Sequence, residues 1–190
     1  SYGYSKHSFP FSPPIFEGRL MYKKPKRGDV IVFKTPTDNR TDYIKRLIGL
    51  PGDTIQFIDS NLFINNSEVL KSRISKNDKI YCGKKNIEVF TFEELLSNGK
   101  KHITVYLKDY SFQNSDKFYV PKNHYFFLGD NRDCSKDSRF LTSVGYVHKD
   151  NLVGEARFIF FSSDKSVGSI FSFWKWNKSI RFDRFFKKIN

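Results

Sequence analysis

Long hydrophobic runs are absent from this sequence of 190 residues. No apolar run approaches the ~20 residues that a membrane-spanning helix requires. Cysteine and histidine are scarce as well. The two cysteines, Cys82 and Cys134, lie far apart, and the four histidines show no ligand spacing. We therefore expect neither a disulfide framework nor a zinc site, and we predict no metal and no cofactor.

Aromatic and basic residues, by contrast, are abundant. The chain contains 21 phenylalanines within an aromatic content of 17%, which excludes a disordered protein. Its length suffices for one full hydrophobic core with a small inserted subdomain. A formal net charge of +13 favours an anionic partner, which could be nucleic acid, acidic lipid or an acidic protein.

Residues 42–53 form the most informative stretch. Tyr43, Ile44 and Leu47 are typical of a half-buried strand, and Pro51-Gly52 fits the centre of a type II turn. Strand alternation places Lys45 on one face with Tyr43 and Leu47. An ammonium group among apolar neighbours must either reach water or lose its proton. The pattern alone favours the first alternative, because lysine is rarely buried without a task.

Short strands are predicted along most of the remaining chain. Residues 66–116 are polar and weakly patterned, and within them 89–96 are predicted as a short helix and 102–107 as a strand. The other predicted strands are 30–34, 118–121, 125–128, 145–147 and 152–161. Residues 54–58 and 62–64 are predicted to form a hairpin around 59–61.

Two further segments carry unusual charge patterns. Residues 129–139 read as a loop whose acids Asp130, Asp133 and Asp137 can each find Arg132 or Arg139 nearby, and the composition alone indicates a structural role. Residues 167–190 show aromatic residues at helical spacing and six basic residues from Lys175 onward. This tail fits a helix in a membrane interface or a helix docked on its own domain, and both alternatives stay open.

Three stretches together resemble bacterial type I signal peptidase, the membrane-bound Ser/Lys endopeptidase that removes signal peptides. They are Arg27-Gly28-Asp29-Val30-Ile31-Val32-Phe33-Lys34, then residues 42–53 with their Tyr-Ile-Lys-Arg and Gly-Leu-Pro-Gly-Asp segments, and then residues 129–139 with Gly-Asp-Asn-Arg-Asp and Asp-Ser-Arg. The resemblance continues through 145–147 and 152–154, and the basic aromatic tail is most similar to enzymes of α-proteobacteria.

The resemblance implies a role for each matching residue. Lys45 would be the general base, which requires an amine that desolvation has deprotonated. Ser135 would be the serine whose hydroxyl bonds that lysine and orients its lone pair. The residues implied to hold the loop beneath the site are Asp130, Arg132, Asp137 and Arg139. Those implied to bind the substrate as an added strand are Val32, Asp42, Tyr43 and Ile44.

The sequence departs from the family at two places. Cys134 stands where asparagine is common, with no evident catalytic consequence. The Ser-Met-x-Pro segment that carries the family's nucleophile is not found, and Ser12 is too close to Lys45 in sequence and lacks the methionine. We therefore expect the chain to begin downstream of the nucleophile and, as given, to hydrolyse no signal peptide.

The resemblance also predicts the architecture and the setting. The expected fold is mainly β: a coiled antiparallel β-sheet catalytic core (1–58 and 118–165), an inserted β subdomain (59–117) and a C-terminal amphipathic helix within 166–190. The expected partners are signal peptides of exported preproteins and an anionic membrane surface. The enzyme is expected to be a monomer in the inner membrane, with its catalytic domain on the periplasmic face.

A non-catalytic reading competes with the peptidase. A basic module that binds nucleic acid or anionic lipid would use the same positive charge and aromatic side chains. The sequence shows no RNA-binding fingerprint and no helix-turn-helix pattern, so we predict no nucleic-acid partner. A peptidase-like scaffold without activity is the third alternative.

Overall fold

The structure, a computed structural model, describes residue 21, residues 23–82, 85–108, 114–158 and 187–188. The chain divides into two compact units, Ser1–Glu155 and Ala156–Asn190, and each is considered by itself. In the second unit, Phe158 and Lys188 form an isolated antiparallel bridge. Within these ranges, no helix is long and apolar enough to cross a membrane.

The described part of the first unit is built from short β-strands, which confirms the mainly β prediction. Lys149–Asn151 form a single 3-10 turn. In chain order the strands are β1 Val30–Lys34, β2 Asp42–Gly49, β3 Thr54–Ile58, β4 Asn61–Ile64, β5 Ser67–Glu68, β6 Leu70–Cys82, β7 Lys85–Leu95, β8 Lys101–Leu107, β9 Phe118–Tyr119, β10 His124–Leu128, β11 Val147–His148 and β12 Leu152–Glu155.

These strands form three antiparallel sheets. The five-stranded sheet has the order β11-β10-β2-β1-β12, the four-stranded sheet the order β5-β4-β3-β9, and the three-stranded sheet the order β6-β7-β8. The three-stranded sheet is continuous in sequence. Strand β7 pairs with β6 from Lys85 to Leu95 and with β8 from Val89 to Leu95.

Strand β2 lies at the centre because both of its faces are apolar toward its C-terminal end. Leu47 packs with Ile31, Phe33 and Phe127 in one hydrophobic cluster, and the next residue, Ile48, packs in a second cluster on the opposite face. A strand exposes successive side chains to opposite faces, so β2 joins two cores. The first half of β2 has less cover, and its Ile44 side chain is 51% exposed.

Several local predictions are confirmed. Gly52 has φ +91°, and the N–H of Asp53 donates to the carbonyl of Leu50 at 3.0 Å, as a type II turn requires. The hairpin β3–β4 turns at Asp59 and Ser60, which both have positive φ. The strand predicted over 102–107 is β8. The strand predicted over 152–161 is shorter, because β12 ends at Glu155.

Two predictions are wrong. Residues 89–96 do not form a helix, since all but the last belong to β7. Alternation puts Val89 on one face of β7 and Phe90 and Phe92 on the other. Pairing with β6 and β8 stabilises the strand on both sides. The cysteines do form a disulfide between Cys82 and Cys134, because β6 brings its C-terminal end to the 129–139 loop. The predicted tail helix lies outside the described residues.

Candidate active site

The predicted contact between Lys45 and Ser135 is present. Nζ of Lys45 lies 2.9 Å from Oγ of Ser135, at hydrogen-bond distance, although the two residues are 90 positions apart in sequence. Ser135 is only 8% exposed and Lys45 is half-buried. Lys45 shares its face of β2 with Tyr43, whose ring centroid is 5.6 Å from Nζ. The expectation that an apolar surface surrounds this amine is therefore met in the structure.

The surroundings of Lys45 favour its neutral form. Desolvation by burial is the largest effect and lowers the pKa of its ammonium group below the ordinary 10.5. The charge of Arg139 acts in the same direction, whereas the carboxylates of Asp137 and Asp130 oppose it. Because burial outweighs these carboxylates, more of the amine is unprotonated near neutral pH than in an exposed lysine.

Asp137 and Arg139 form a buried ion pair beside the lysine. Nε of Arg139 donates to Oδ1 of Asp137 at 2.8 Å, and Nη2 donates to Oδ2 at 2.9 Å. The Asp137 carboxylate also accepts from the backbone N–H of Gly129 at 2.9 Å. The pair thus connects the two ends of the loop. The supporting role that the resemblance implies for both residues stays a prediction.

Gly129 packs directly beneath Ser135. An added Cβ at this position would lie 2.0 Å from Oγ and 2.3 Å from Cβ of Ser135, which is far closer than atoms can approach. Glycine is therefore required here for close approach, and its φ is not in the left-handed region. The hydroxyl that contacts Lys45 is thereby held by the backbone on one side.

Asp130 pairs with a residue of β2 itself. Nε and Nη2 of Arg46 donate to the two carboxylate oxygens of Asp130, both at 2.8 Å, and Nη1 donates to the carbonyl of Gly28 at 2.9 Å. Alternation puts the Arg46 side chain on the face opposite Lys45. The loop is therefore anchored to β2 immediately next to the candidate base.

Arg132 finds its carboxylate outside the loop. Its Nη1 and Nη2 atoms donate to the two oxygens of Glu94 on β7 at 2.9 and 2.6 Å, and Nη1 also donates to the Tyr106 hydroxyl at 3.0 Å. The side chains of Arg132 and Glu94 are each 1% exposed. Asp133 accepts from the backbone N–H of Leu107 at 2.7 Å. The sequence predicted partners within the loop for these two residues, whereas the ion pair of Arg132 is with β7 and the hydrogen bond of Asp133 is with β8.

The predicted substrate-binding residues lie on both faces of the β1–β2 pair. Val32 pairs directly with Ile44, and Asp42 pairs with Lys34 across the strands and forms an ion pair with it at 2.9 Å. These residues share the face of Arg46. Tyr43 lies on the face of Lys45. The structure therefore brings all four to one strand pair beside the lysine but not into a single surface.

Three residues that carry the site were not assigned a role from sequence: Arg46, Glu94 and Gly129. Arg46 and Gly129 lie inside the stretches that resemble the family, so their closeness in sequence to Lys45 and Ser135 was a usable signal. Glu94 had none, because it lies in the weakly patterned segment, 38 positions from Arg132. No cluster of three or more His, Cys, Asp or Glu side chains in the described part of the chain could hold a metal ion.

Comparisons with known proteins identify the family of this chain. The model of the family described as signal peptidase, peptidase S26, matches residues 4–161. Signal peptidase I of Rickettsia typhi is 40% identical over 206 residues, covering 100% of this chain and 76% of that protein. Signal peptidase I of Rickettsia conorii is 39% identical over 208 residues, covering 100% and 75%.

A crystal structure of a signal peptidase I from Enterococcus faecalis V583 is 31% identical and covers 70% of this chain and 97% of its own, with a TM-score of 0.42. The family match and the two Rickettsia relatives decide the assignment, since they extend over most or all of the sequence. This chain belongs to the signal peptidase family, peptidase S26.

Proposed function

We propose that Lys45 is the general base of a serine endopeptidase that removes signal peptides from exported preproteins. Family membership supports the reaction class, and the contact of 2.9 Å between Lys45 Nζ and Ser135 Oγ carries the assignment of the base. A serine hydroxyl attacks a peptide carbonyl only when a neighbouring base takes its proton. A half-buried amine with a lowered pKa can do so near neutral pH.

Ser135 orients this base. When Lys45 is neutral, a hydrogen bond to the serine hydroxyl fixes the rotation of the amine, so that its lone pair points away from Ser135 toward the attacking hydroxyl. The ion pairs Asp137–Arg139 and Arg46–Asp130 support the arrangement from opposite sides. Arg132 supports the loop through its ion pair with Glu94.

The substrate is proposed to add as a strand along the first half of β2. Leu47 exchanges backbone hydrogen bonds with Gly28 and Asp29, on the β1 side. Alternation then directs the backbone groups of Asp42 and Ile44 away from β1. Among the described residues, β10 pairs with β2 only from Arg46 to Gly49, so no described strand occupies that side of Asp42–Lys45. An extended peptide can bind there, with its scissile bond near Lys45.

We expect none of residues 1–190 to supply the nucleophile, because the Ser-Met-x-Pro segment that carries it in the family is not found among them. This follows the expectation from the family resemblance, and it predicts that the chain as given cleaves no preprotein. Cleavage of a preprotein by this chain alone would mean that the nucleophile lies within it.

The proposed setting is the inner membrane, with the catalytic part on the periplasmic face. The Cys82–Cys134 disulfide supports an oxidising compartment, because disulfides persist in the bacterial periplasm and are rare in the cytosol. The net charge of +13 supports contact with an anionic membrane surface. We further propose a monomer that binds no nucleic acid. Vesicle binding, DNA binding and size-exclusion measurements test these points separately.

The deciding experiment is a preprotein cleavage assay on the full-length gene product. Lys45→Met should lower the cleavage rate by about 10²- to 10⁴-fold, the usual contribution of a general base. The matched control is Lys71→Met. Lys71 is also half-buried with a lowered pKa, but its Nζ donates to the carbonyl of Ser60 and lies over the Phe92 and Tyr106 rings. Equal losses in both variants would refute the assignment of the base.

A further inference from the structure

The loop that contains Ser135 runs along the edge of the three-stranded sheet. Asn131 forms a parallel bridge with Val105 of β8. The N–H of Val105 donates to the carbonyl of Asp130 at 2.9 Å, and the N–H of Arg132 donates to the carbonyl of Val105 at 3.0 Å. The loop therefore extends the sheet by one short strand.

A buried polar network fixes the loop to this sheet. Arg132 binds both oxygens of Glu94, and the Tyr106 hydroxyl accepts from Arg132 and donates to Glu94 at 3.2 Å. Thr104 also donates to Glu94, at 3.3 Å. The Glu94 carboxylate is 1% exposed and accepts from three side chains, those of Arg132, Tyr106 and Thr104. These contacts fix the position of the Arg132 guanidinium relative to β7.

The network is connected to the serine by a short path. The carbonyl of Arg132 accepts from Nη2 of Arg139, which is held by Asp137. Asp137 in turn holds the N–H of Gly129, against which Ser135 packs. On the other side of Ser135, Cys134 is joined to Cys82 at the end of β6. Gly129, which contacts Ser135, and Cys134, which precedes it in sequence, are thus each connected by a chain of contacts to the three-stranded sheet.

We propose that Glu94 is a positioning residue for the proteolytic reaction: through its ion pair with Arg132 it holds the loop that presents Ser135 to Lys45. This inference rests on the proposed function of Lys45 as the base. It assigns a task to the segment 70–107, which holds the Ser135 loop through Glu94 and Cys82. Glu94 acts through Arg132, so its loss loosens the loop and admits water to Lys45.

The test measures the proton affinity of the Lys45 amine by NMR titration of the isotopically labelled chain, which needs no nucleophile. In Glu94→Gln we expect the proton affinity of the Lys45 amine to rise about tenfold, toward that of an ordinary lysine, because the loosened loop hydrates the amine. The charges nearest Lys45, from Asp130, Asp137 and Arg139, are unchanged in this variant. Removing the Glu94 charge by itself would shift the affinity the other way, so the sign of the change identifies its cause.

The matched control is Glu93→Gln. Glu93 is the neighbouring position on β7, points to the opposite face and pairs with Lys101 at 2.7 Å on the surface. This variant should leave the titration of Lys45 unchanged. Tyr106→Phe is a milder second variant, since it keeps the ion pair and removes one hydroxyl, and it should raise the proton affinity in the same direction by less.

The possible outcomes separate the two proposals. An ordinary lysine titration in the unaltered chain would refute the role of Lys45 as the base. A lowered pKa in the unaltered chain that persists in folded Glu94→Gln and Tyr106→Phe, with only a lower melting temperature, would make Glu94 purely structural and overturn this inference alone. If Glu94→Gln does not fold, Tyr106→Phe decides: an unchanged titration overturns the inference, and a rise supports it.

Discussion

The five-stranded and three-stranded sheets bury different kinds of side chain. In the first, Ile31, Phe33 and Leu47 are fully buried on one face. In the second, Glu94 and His102 are almost fully buried and Thr104 fully. An apolar cluster is stabilised by the area it removes from water and tolerates small changes, whereas a buried polar network is costly when one partner is lost. The second sheet should therefore be the more sensitive to pH and to single polar substitutions.

The loop 129–139 lies where the two kinds of interior meet. Asp130 pairs with Arg46 of the five-stranded sheet, and Arg132 pairs with Glu94 of the three-stranded sheet. Ser138 also binds Phe127 of β10: its N–H donates to the carbonyl of Phe127 at 3.0 Å, and its hydroxyl accepts from the N–H of Phe127 at 2.9 Å. The proposed base, Lys45, comes from the apolar sheet, and the loop that carries Ser135 contacts both sheets.

The largest effect on stability is expected from removing the disulfide. In the double variant Cys82→Ser and Cys134→Ser, the free energy of unfolding should fall by up to about 4 kcal/mol, because a crosslink across a sequence separation of 52 restricts the unfolded chain. Denaturant titration measures the loss, and hydrogen exchange should increase more in β6–β8 than in β1 and β2. The unaltered protein in reductant is the control and should unfold like the double variant. Equal midpoints with and without reductant would contradict the prediction.

A pH effect should follow from the polar interior of the three-stranded sheet. Burial and the Arg46 charge lower the pKa of His102 from 6.5 to about 4, against the Glu94 carboxylate, which lies 3.5 Å from Nε2. Among the described residues, neither ring nitrogen has a hydrogen-bond partner. Below pH 6.5 the unfolded chain therefore binds more protons than the folded protein. The His102 contribution should lower the free energy of unfolding by about 3 kcal/mol between pH 6.5 and pH 4. Well above pH 6.5, where this histidine is neutral in both states, its contribution should not change with pH.

His102→Gln should flatten this pH dependence, since glutamine does not titrate. Denaturant unfolding at a series of pH values measures it, and His124→Gln, in the five-stranded sheet, is the control that should retain the slope. An identical slope in His102→Gln and the unaltered protein would show that other groups cause the acid sensitivity. Any further loss at more acidic pH belongs to carboxylates such as Glu94, whose pKa is lowered by Arg132 against the effect of burial.

Much of the five-stranded sheet could be predicted from sequence because its side chains follow a simple rule. Apolar residues on both faces predicted β1 and the buried half of β2, and Pro51-Gly52 predicted the turn that follows. The family resemblance then identified Lys45 and Ser135, which are 2.9 Å apart in the structure. Their catalytic roles stay predictions until they are measured.

The three-stranded sheet was not predictable to the same extent. Residues 89–96 contain glutamates and leucines that favour a helix, and only pairing with β6 and β8 makes most of them a strand. The partners of Arg132 and Cys134 could not be found either, since Glu94 and Cys82 are distant in sequence and have no local pattern around them. Long-range contacts between polar residues leave no periodic signal in one sequence.

The smallest change in the comparison, a single methyl group, should separate the geometry of the site from the stability of the fold. In Gly129→Ala the added Cβ would lie 2.0 Å from Oγ of Ser135, so the Ser135 side chain or the backbone beside it must shift. Misplacing an orienting group by about 1 Å can cost on the order of 10²-fold in rate, and we expect a loss of that size in preprotein cleavage by the full-length gene product. Gly154→Ala is the matched control: Gly154 lies in β12 opposite Val32, and among the described residues no atom lies within 4 Å of an added Cβ. Cleavage by Gly129→Ala at the unaltered rate, with normal folding, would show that the contact between Lys45 and Ser135 is not needed for the reaction.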